Sequence, residues 1–181
     1  MLDPVAVWNS EHKRFARLLD MLERQMAAFH NDEHPDYELM RDIVQYLHDF
    51  GDRFHHPRED VAFARLIARD PGIALAVNRL LQEHRVIDLA GQKLIDYLDD
   101  ILSDVLLERQ SVEAAAATYL VYYRHHLTTE KNEILPRASE LLKDEDWAAV
   151  ASAVATVSDP LFGSHVSARY RSLREQIAEV A

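Results

Sequence analysis

The chain contains no cysteine, which excludes disulfides, zinc–thiolate sites, iron–sulfur clusters and thiol catalysis together. Glycine and proline are scarce, four and six among 181 residues. Ala, Leu, Glu, Arg and Asp dominate instead, a composition that favours helix over strand. Positive charge is also in deficit: 20 Lys and Arg face 31 Asp and Glu, a net charge of −11. That balance argues against nucleic-acid and anionic-membrane partners, both of which need a basic surface. No apolar run approaches the length of a membrane span, and Met1-Leu2-Asp3-Pro4 opens nothing like a signal peptide, so the cytoplasm is the expected location. The length fits one domain over residues 1–181 with a proper core.

Histidine is abundant, with ten copies. The most informative stretch is Tyr122-Tyr123-Arg124-His125-His126-Leu127-Thr128-Thr129-Glu130. Four residues span just over one helical turn, so His126 and Glu130 project from the same face. An imidazole stacked on a carboxylate makes a two-point grip for a metal of intermediate hardness. His55 and Glu59 repeat the spacing within His55-His56-Pro57-Arg58-Glu59. Chance supplies about one H-x-x-x-E pair in a chain of this composition. His34 and Glu38, astride Pro35 in a polar turn, are such a decoy.

Position on the helices separates the two meaningful pairs from the decoy. Asp3-Pro4 reads as N-cap and first turn of a helix whose apolar stripe is Val5, Trp8, Phe15, Leu19, Leu22, Met26 and Phe29, with His12 filling the missing step. A second helix runs from about Tyr37 toward Ile67, with Met40, Val44, Leu47, Gly51, His55 and Glu59 on its stripe and a kink expected at Pro57. Asp70-Pro71-Gly72 turns into a third, striped by Val77, Leu80, His84, Ile87, Gly91, Leu94, Leu98 and Ile101. A fourth, capped by Ser111, carries Val112, Ala115, Tyr119, Tyr122, His126 and Thr129. Each stripe has one histidine at a core position. At a rise of about 1.5 Å per residue, His12, His55 and His84 fall at one level of an up-down-up-down bundle. His126 joins them only if the third helix ends near Leu102 and Ser103-Asp104 opens a loop. Two further helices follow, one from Asp144 and one capped by Ser158-Asp159-Pro160 and running through Tyr170 and Leu173 to Ile177. They are expected to cover the bundle or to form a homodimer contact.

Several residues admit more than one reading. His56 with Asp60 offers another register for the second helix, but Gly51 and Phe54 set the stripe that favours His55. His125 reads as a surface or supporting group, and His30, His34, His48 and His165 as solvated. Tyr119 and Tyr122 read as core, with Tyr122 also one turn from His126 and so a possible redox relay. Gly51 and Gly91 fit either close helix contacts or room for a small ligand.

Four imidazoles and two carboxylates without sulfur suit iron, manganese or zinc rather than calcium or copper(I). Ferritin-like proteins use Glu-x-x-His, a spacing absent here. The order His, His-x-x-x-Glu, His, His-x-x-x-Glu resembles the hemerythrin-like (HHE) cation-binding family over roughly Val7 to Pro136. Phe54-His55-His56-Pro57-Arg58-Glu59-Asp60 and Ile134-Leu135-Pro136 are similar to that family beyond mere spacing. Asp159-Pro160-Leu161-Phe162-Gly163 resembles the tail of some bacterial single-domain members. The resemblance implies an all-α four-helix bundle over about residues 4–136 with a helical extension over 137–181. It implies metal ligands at His12, His55, Glu59, His84, His126 and Glu130, holding two iron ions with an oxo or hydroxo bridge. Respiratory members carry a further histidine one turn after the third-helix ligand, where this chain has Asp88. Two imidazoles per ion would leave both ions open, which favours redox chemistry with O2, peroxide or nitric oxide over simple oxygen carriage. No catalytic motif is recognisable, and a metal-dependent interaction or sensor module and a structural zinc protein are the competing readings.

Overall fold

The computed structural model describes residues 3–155 and 157–179; Met1 and Leu2, part of the reading of the chain's opening, lie outside them. The chain is all-α. Helix α1 (Pro4–His30) starts where Asp3 accepts a hydrogen bond from the Val5 amide at 3.0 Å. Helix α2 (Tyr37–Tyr46) is capped by Asp36 and passes into a π-helical segment, Leu47–His55, and then α3 (His56–Arg69). Helix α4 spans Ala74–Leu102 and is followed by α5 (Arg109–Thr129), a second π segment (Glu130–Ile134) and α6 (Leu135–Leu141). Helices α7 (Asp144–Ala153) and α8 (Arg171–Glu179) complete the order. Helix α1, the α2–α3 rod, α4 and the α5–α6 rod form the up-down-up-down bundle, each packed on the next around the ring.

The break after Leu102 falls where bundle geometry demands it, with Asp104 at a φ of 59° reversing the chain. Leu106-Leu107-Glu108 have helical propensity, but Arg109 overrides it. Its guanidinium donates to the carbonyls of Phe29 and His30 and pairs with Asp32, tying the start of α5 to the end of α1. The expected kink at Pro57 takes another form. Proline cannot donate its amide, and its ring crowds the carbonyl four residues back. The wide π turns ending at His55 absorb that misfit, and the second π segment precedes Pro136 in the same way.

The C-terminal extension covers the bundle. Leu161, Tyr170, Leu173 and Ile177 join the core of one end, while Trp147 of α7 packs edge-on to Trp8 with ring centroids 5.4 Å apart. Ser158-Asp159-Pro160 caps no helix. Asp159 instead accepts hydrogen bonds from the Leu161 and Phe162 amides and from the Tyr46 hydroxyl, fixing a tight turn, and the helix begins only at Arg171.

Two apolar cores result. One gathers Phe15 to Leu22, the α2 face, Ile87 to Leu98 and Val112 to Leu127. The other gathers Val5, Trp8, Phe63, Leu66, Val77, Leu80, Ile134 and Leu135. Between them, on all four rods, lies a buried layer of histidine and glutamate.

Candidate metal centre

All six residues singled out by their spacing enter this layer. His55, Glu59, His126 and Glu130 are wholly inaccessible, and His12 and His84 are buried. The Nε2 atoms of His12 and His55 lie 2.7 Å apart, and Glu59 Oε1 sits 3.1 Å from the first and 2.9 Å from the second. The other oxygen of Glu59 faces His84 Nε2 at 3.7 Å. Glu130 Oε2 lies 3.4 Å from His12 Nε2 and 3.2 Å from His126 Nε2. Each glutamate therefore spans the two halves of the layer.

A seventh residue enters that the stripe analysis assigned to another register. His56 is buried and stacks on His84 with ring centroids 4.2 Å apart, and it meets His126 at 5.1 Å. Two donor groups emerge that could each hold a metal ion, His12, His55 and Glu59 on one side, and His56, Glu59, His84 and His126 on the other. Consecutive α-helical residues point about 100° apart, so His55 and His56 could not both face inward on an unbroken helix. The π segment slips the phase between them: the upstream stripe ends on His55, and the α3 stripe restarts as His56, Glu59, Phe63 and Leu66. The signal in the sequence is the proline itself, since Pro57 marks where the helical phase must change. The imidazoles thus divide two and three, where the sequence pattern implied two and two.

The ring nitrogens are sorted by carboxylates around the layer. His55 Nδ1 donates to Glu11 at 2.6 Å, and His84 Nδ1 donates to Asp60 at 2.7 Å. His56 Nδ1 lies 3.0 Å from Asp52, and His126 Nδ1 lies 3.7 Å from Glu83. At His55 and His84 the proton-bearing Nδ1 leaves the Nε2 lone pair pointing inward, the arrangement in which outer carboxylates orient metal-binding histidines. The inward Nε2 atoms of His56, His84 and His126 have no hydrogen-bond partner among the described residues, nor do Glu59 Oε2 and both oxygens of Glu130. Buried polar atoms left unpaired are costly, so such a cluster fits a cation that would satisfy them at once. Asp60 supports His84, and Asp88, one turn after His84, pairs with His48.

Electrostatics pull the two glutamates apart. Burial raises both carboxyls, but the imidazoles of His55 and His12 outweigh it at Glu59 and hold it well below the usual range. Glu130 is pushed well above that range by burial and by the Glu59 charge. Burial and the neighbouring His84 push His56 down to about 4, and burial with His56 and His84 holds His126 low. His55 goes the other way: burial opposes its charge, but Glu59 and Glu11 raise it to about 9.

Other readings are revised by the packing. Tyr122 is 40% exposed, and Tyr123 with Tyr119 fills the core position beside the layer. Gly51 and Gly91 leave space for these rings: an added Cβ would come within 2.8 Å of the Tyr123 hydroxyl and 2.9 Å of the Tyr119 ring. His48, expected in solvent, is buried between Asp52 and Asp88. His125 is a surface group paired with Glu83 at 2.8 Å.

No helix of the described residues is long and apolar enough to cross a membrane. Neither the curated proteins nor the solved structures give a match to the chain. The family model described as Hemerythrin HHE cation binding domain matches residues 3–138, about three quarters of the 181-residue chain, which therefore belongs to the hemerythrin-like HHE cation-binding family.

Proposed function

We propose that the buried layer holds two iron ions and that the protein binds or reacts with O2, peroxide or nitric oxide in redox sensing or stress protection. Family membership supports cation binding. The observation that carries the two-ion reading is the double-facing Glu59, one oxygen within 3.1 Å of His12 and the other 3.7 Å from His84. His12 and His55 would hold one ion and His56, His84 and His126 the other, with Glu59 and Glu130 shared. An iron pair would supply one- and two-electron chemistry toward a small oxidant. Zinc or manganese would fit the same donors without giving the same electron count.

The protein's own contribution is placement. Glu11 and Asp60 hold protons on Nδ1 of His55 and His84, keeping Nε2 free. Phe15, whose ring lies 5.0 Å from that of His55, and Tyr123 close the layer toward one core, and Trp8 closes it toward the other at 6.1 Å from His55. These rings would screen the layer from bulk water on both sides. The half with two imidazoles has the fewer donors, which favours the His12 and His55 end for the small ligand.

An optical spectrum after aerobic iron loading tests the reading against a structural zinc role. A coupled ferric pair absorbs in the near-ultraviolet, and that band should change when azide or nitric oxide is added. A colourless protein that retains zinc and excludes iron would overturn it.

A further inference from the structure

Outside the buried layer a second cluster of donors has no part in the reading above. His48 Nδ1 lies 3.3 Å from Asp52 Oδ2 and 3.3 Å from Asp88 Oδ1, and these three residues could together hold a metal ion. Both distances are long for an imidazole–carboxylate hydrogen bond, which elsewhere in this protein closes to 2.6 Å at Glu11 and 2.7 Å at Asp60. Donors about 2.0–2.1 Å from a tetrahedral ion lie about 3.3–3.4 Å apart, so the spacing suits a shared cation better than a shared proton.

Its place in the fold gives the cluster a purpose. Asp52 stands four residues before His56, and Asp88 four residues after His84, so both sit one helical turn outside the layer on the faces that carry those histidines. The Asp52 side chain is 3% exposed and turns one oxygen to His48 and the other to His56. The inner oxygen, 3.0 Å from His56 Nδ1, lacks hydrogen-bond geometry and has no partner among the described residues. The Asp88 side chain is 52% exposed and opens the cluster to water. The exposed Arg53 guanidinium, 3.4 Å from His48 Nε2, lies across the ring from the donors and would swing into solvent as Nε2 takes the proton.

We propose that His48, Asp52 and Asp88 form a separate, half-open site for one divalent transition cation, through which ions enter the buried layer. One imidazole and two carboxylates suit ferrous iron or zinc. Calorimetric titration of zinc into protein already loaded with zinc and desalted should show one further, weaker equivalent per chain. Asp88→Asn and His48→Gln should each weaken that equivalent at least tenfold while leaving the tightly held metal content unchanged. In stopped-flow loading of the metal-free chain with ferrous iron, both variants should fill the buried layer several-fold more slowly. Absence of the further equivalent in wild type would overturn the proposal and leave an imidazolium held by two carboxylates. An equivalent that survives both variants, or loading rates that do not change, would overturn it equally. Because tight content is measured separately, loss of the buried metals would register as failure of the two-iron reading and not of this one.

Discussion

Single residues set the properties of the centre through their neighbours. Glu11 and Asp60 touch no inward atom, yet they fix the proton positions of His55 and His84. Glu11→Gln and Asp60→Asn are expected to weaken metal binding by roughly 10–100-fold each without changing the number of ions at saturation. Competition against a chelator of known affinity measures the loss; unaltered affinity in both variants would remove these carboxylates from the account. At this scale most of the centre is legible in the sequence. His12, His55, His84 and His126 each occupy a core step of a helical stripe, and the i, i+4 glutamates follow. His56 is not legible from periodicity, because a 3.6-residue period cannot place two adjacent side chains on one face; Pro57 alone hints at the π segment that does so. The burial of His48 is equally hidden, since its partner Asp88 comes from another helix.

The elements show how narrow the tolerances around the layer are. Gly91 of α4 lets the Tyr119 ring lie against the backbone, and a methyl there would stand 2.9 Å from Cε2. Tyr119 is fully buried and its ring is packed edge-on to that of Tyr123. Gly91→Ala should cost about 1–3 kcal/mol through overpacking, despite the better helix propensity of alanine. That corresponds to a fall in melting temperature of roughly 2–12 °C for a chain of this size. A stabilised Gly91→Ala protein would show that the ring can move. Helix α7 offers a simpler test. Asp146 accepts from the Lys143 amide at 2.9 Å and from Arg69 at 2.6 Å, fastening the start of α7 to α3. Asp146→Ala should cost about 1–2 kcal/mol, and a denaturant melt will read it. Helix order and the break after Leu102 follow from periodicity and rise. The late start of α8 does not, because Asp159 spends its cap on a turn whose partner, Tyr46, is more than a hundred residues away.

The whole molecule is built from two apolar cores with a costly polar layer between them. Removing metal would leave that layer's donors unpaired and its carboxylates repelling, so chelation should lower the melting temperature by roughly 10 °C. The pH dependence of the chelated chain follows from the shifted histidines. Burial lowers His12, burial with His84 pushes His56 to about 4, and burial with His56 and His84 lowers His126. A folded pKa below the unfolded value near 6.5 gives stability that is complete above pH 6.5 and is lost as pH falls through the folded value. Within the layer, Glu130, raised by burial and Glu59, opposes this. His55, raised to about 9, adds no slope below 6.5. The melting temperature of the metal-free chain should therefore fall between pH 7 and pH 5, and a rise on acidification would mean that the imidazoles are not buried neutral.

The central claim is that the layer would hold a pair of ions sharing Glu59 and Glu130, and elemental analysis of iron-loaded, desalted protein tests it most directly. Wild type should retain two iron atoms per chain, and the Glu59→Ala, Glu130→Ala double variant far less. One atom or fewer in fully loaded wild type, or two in the double variant, would contradict it.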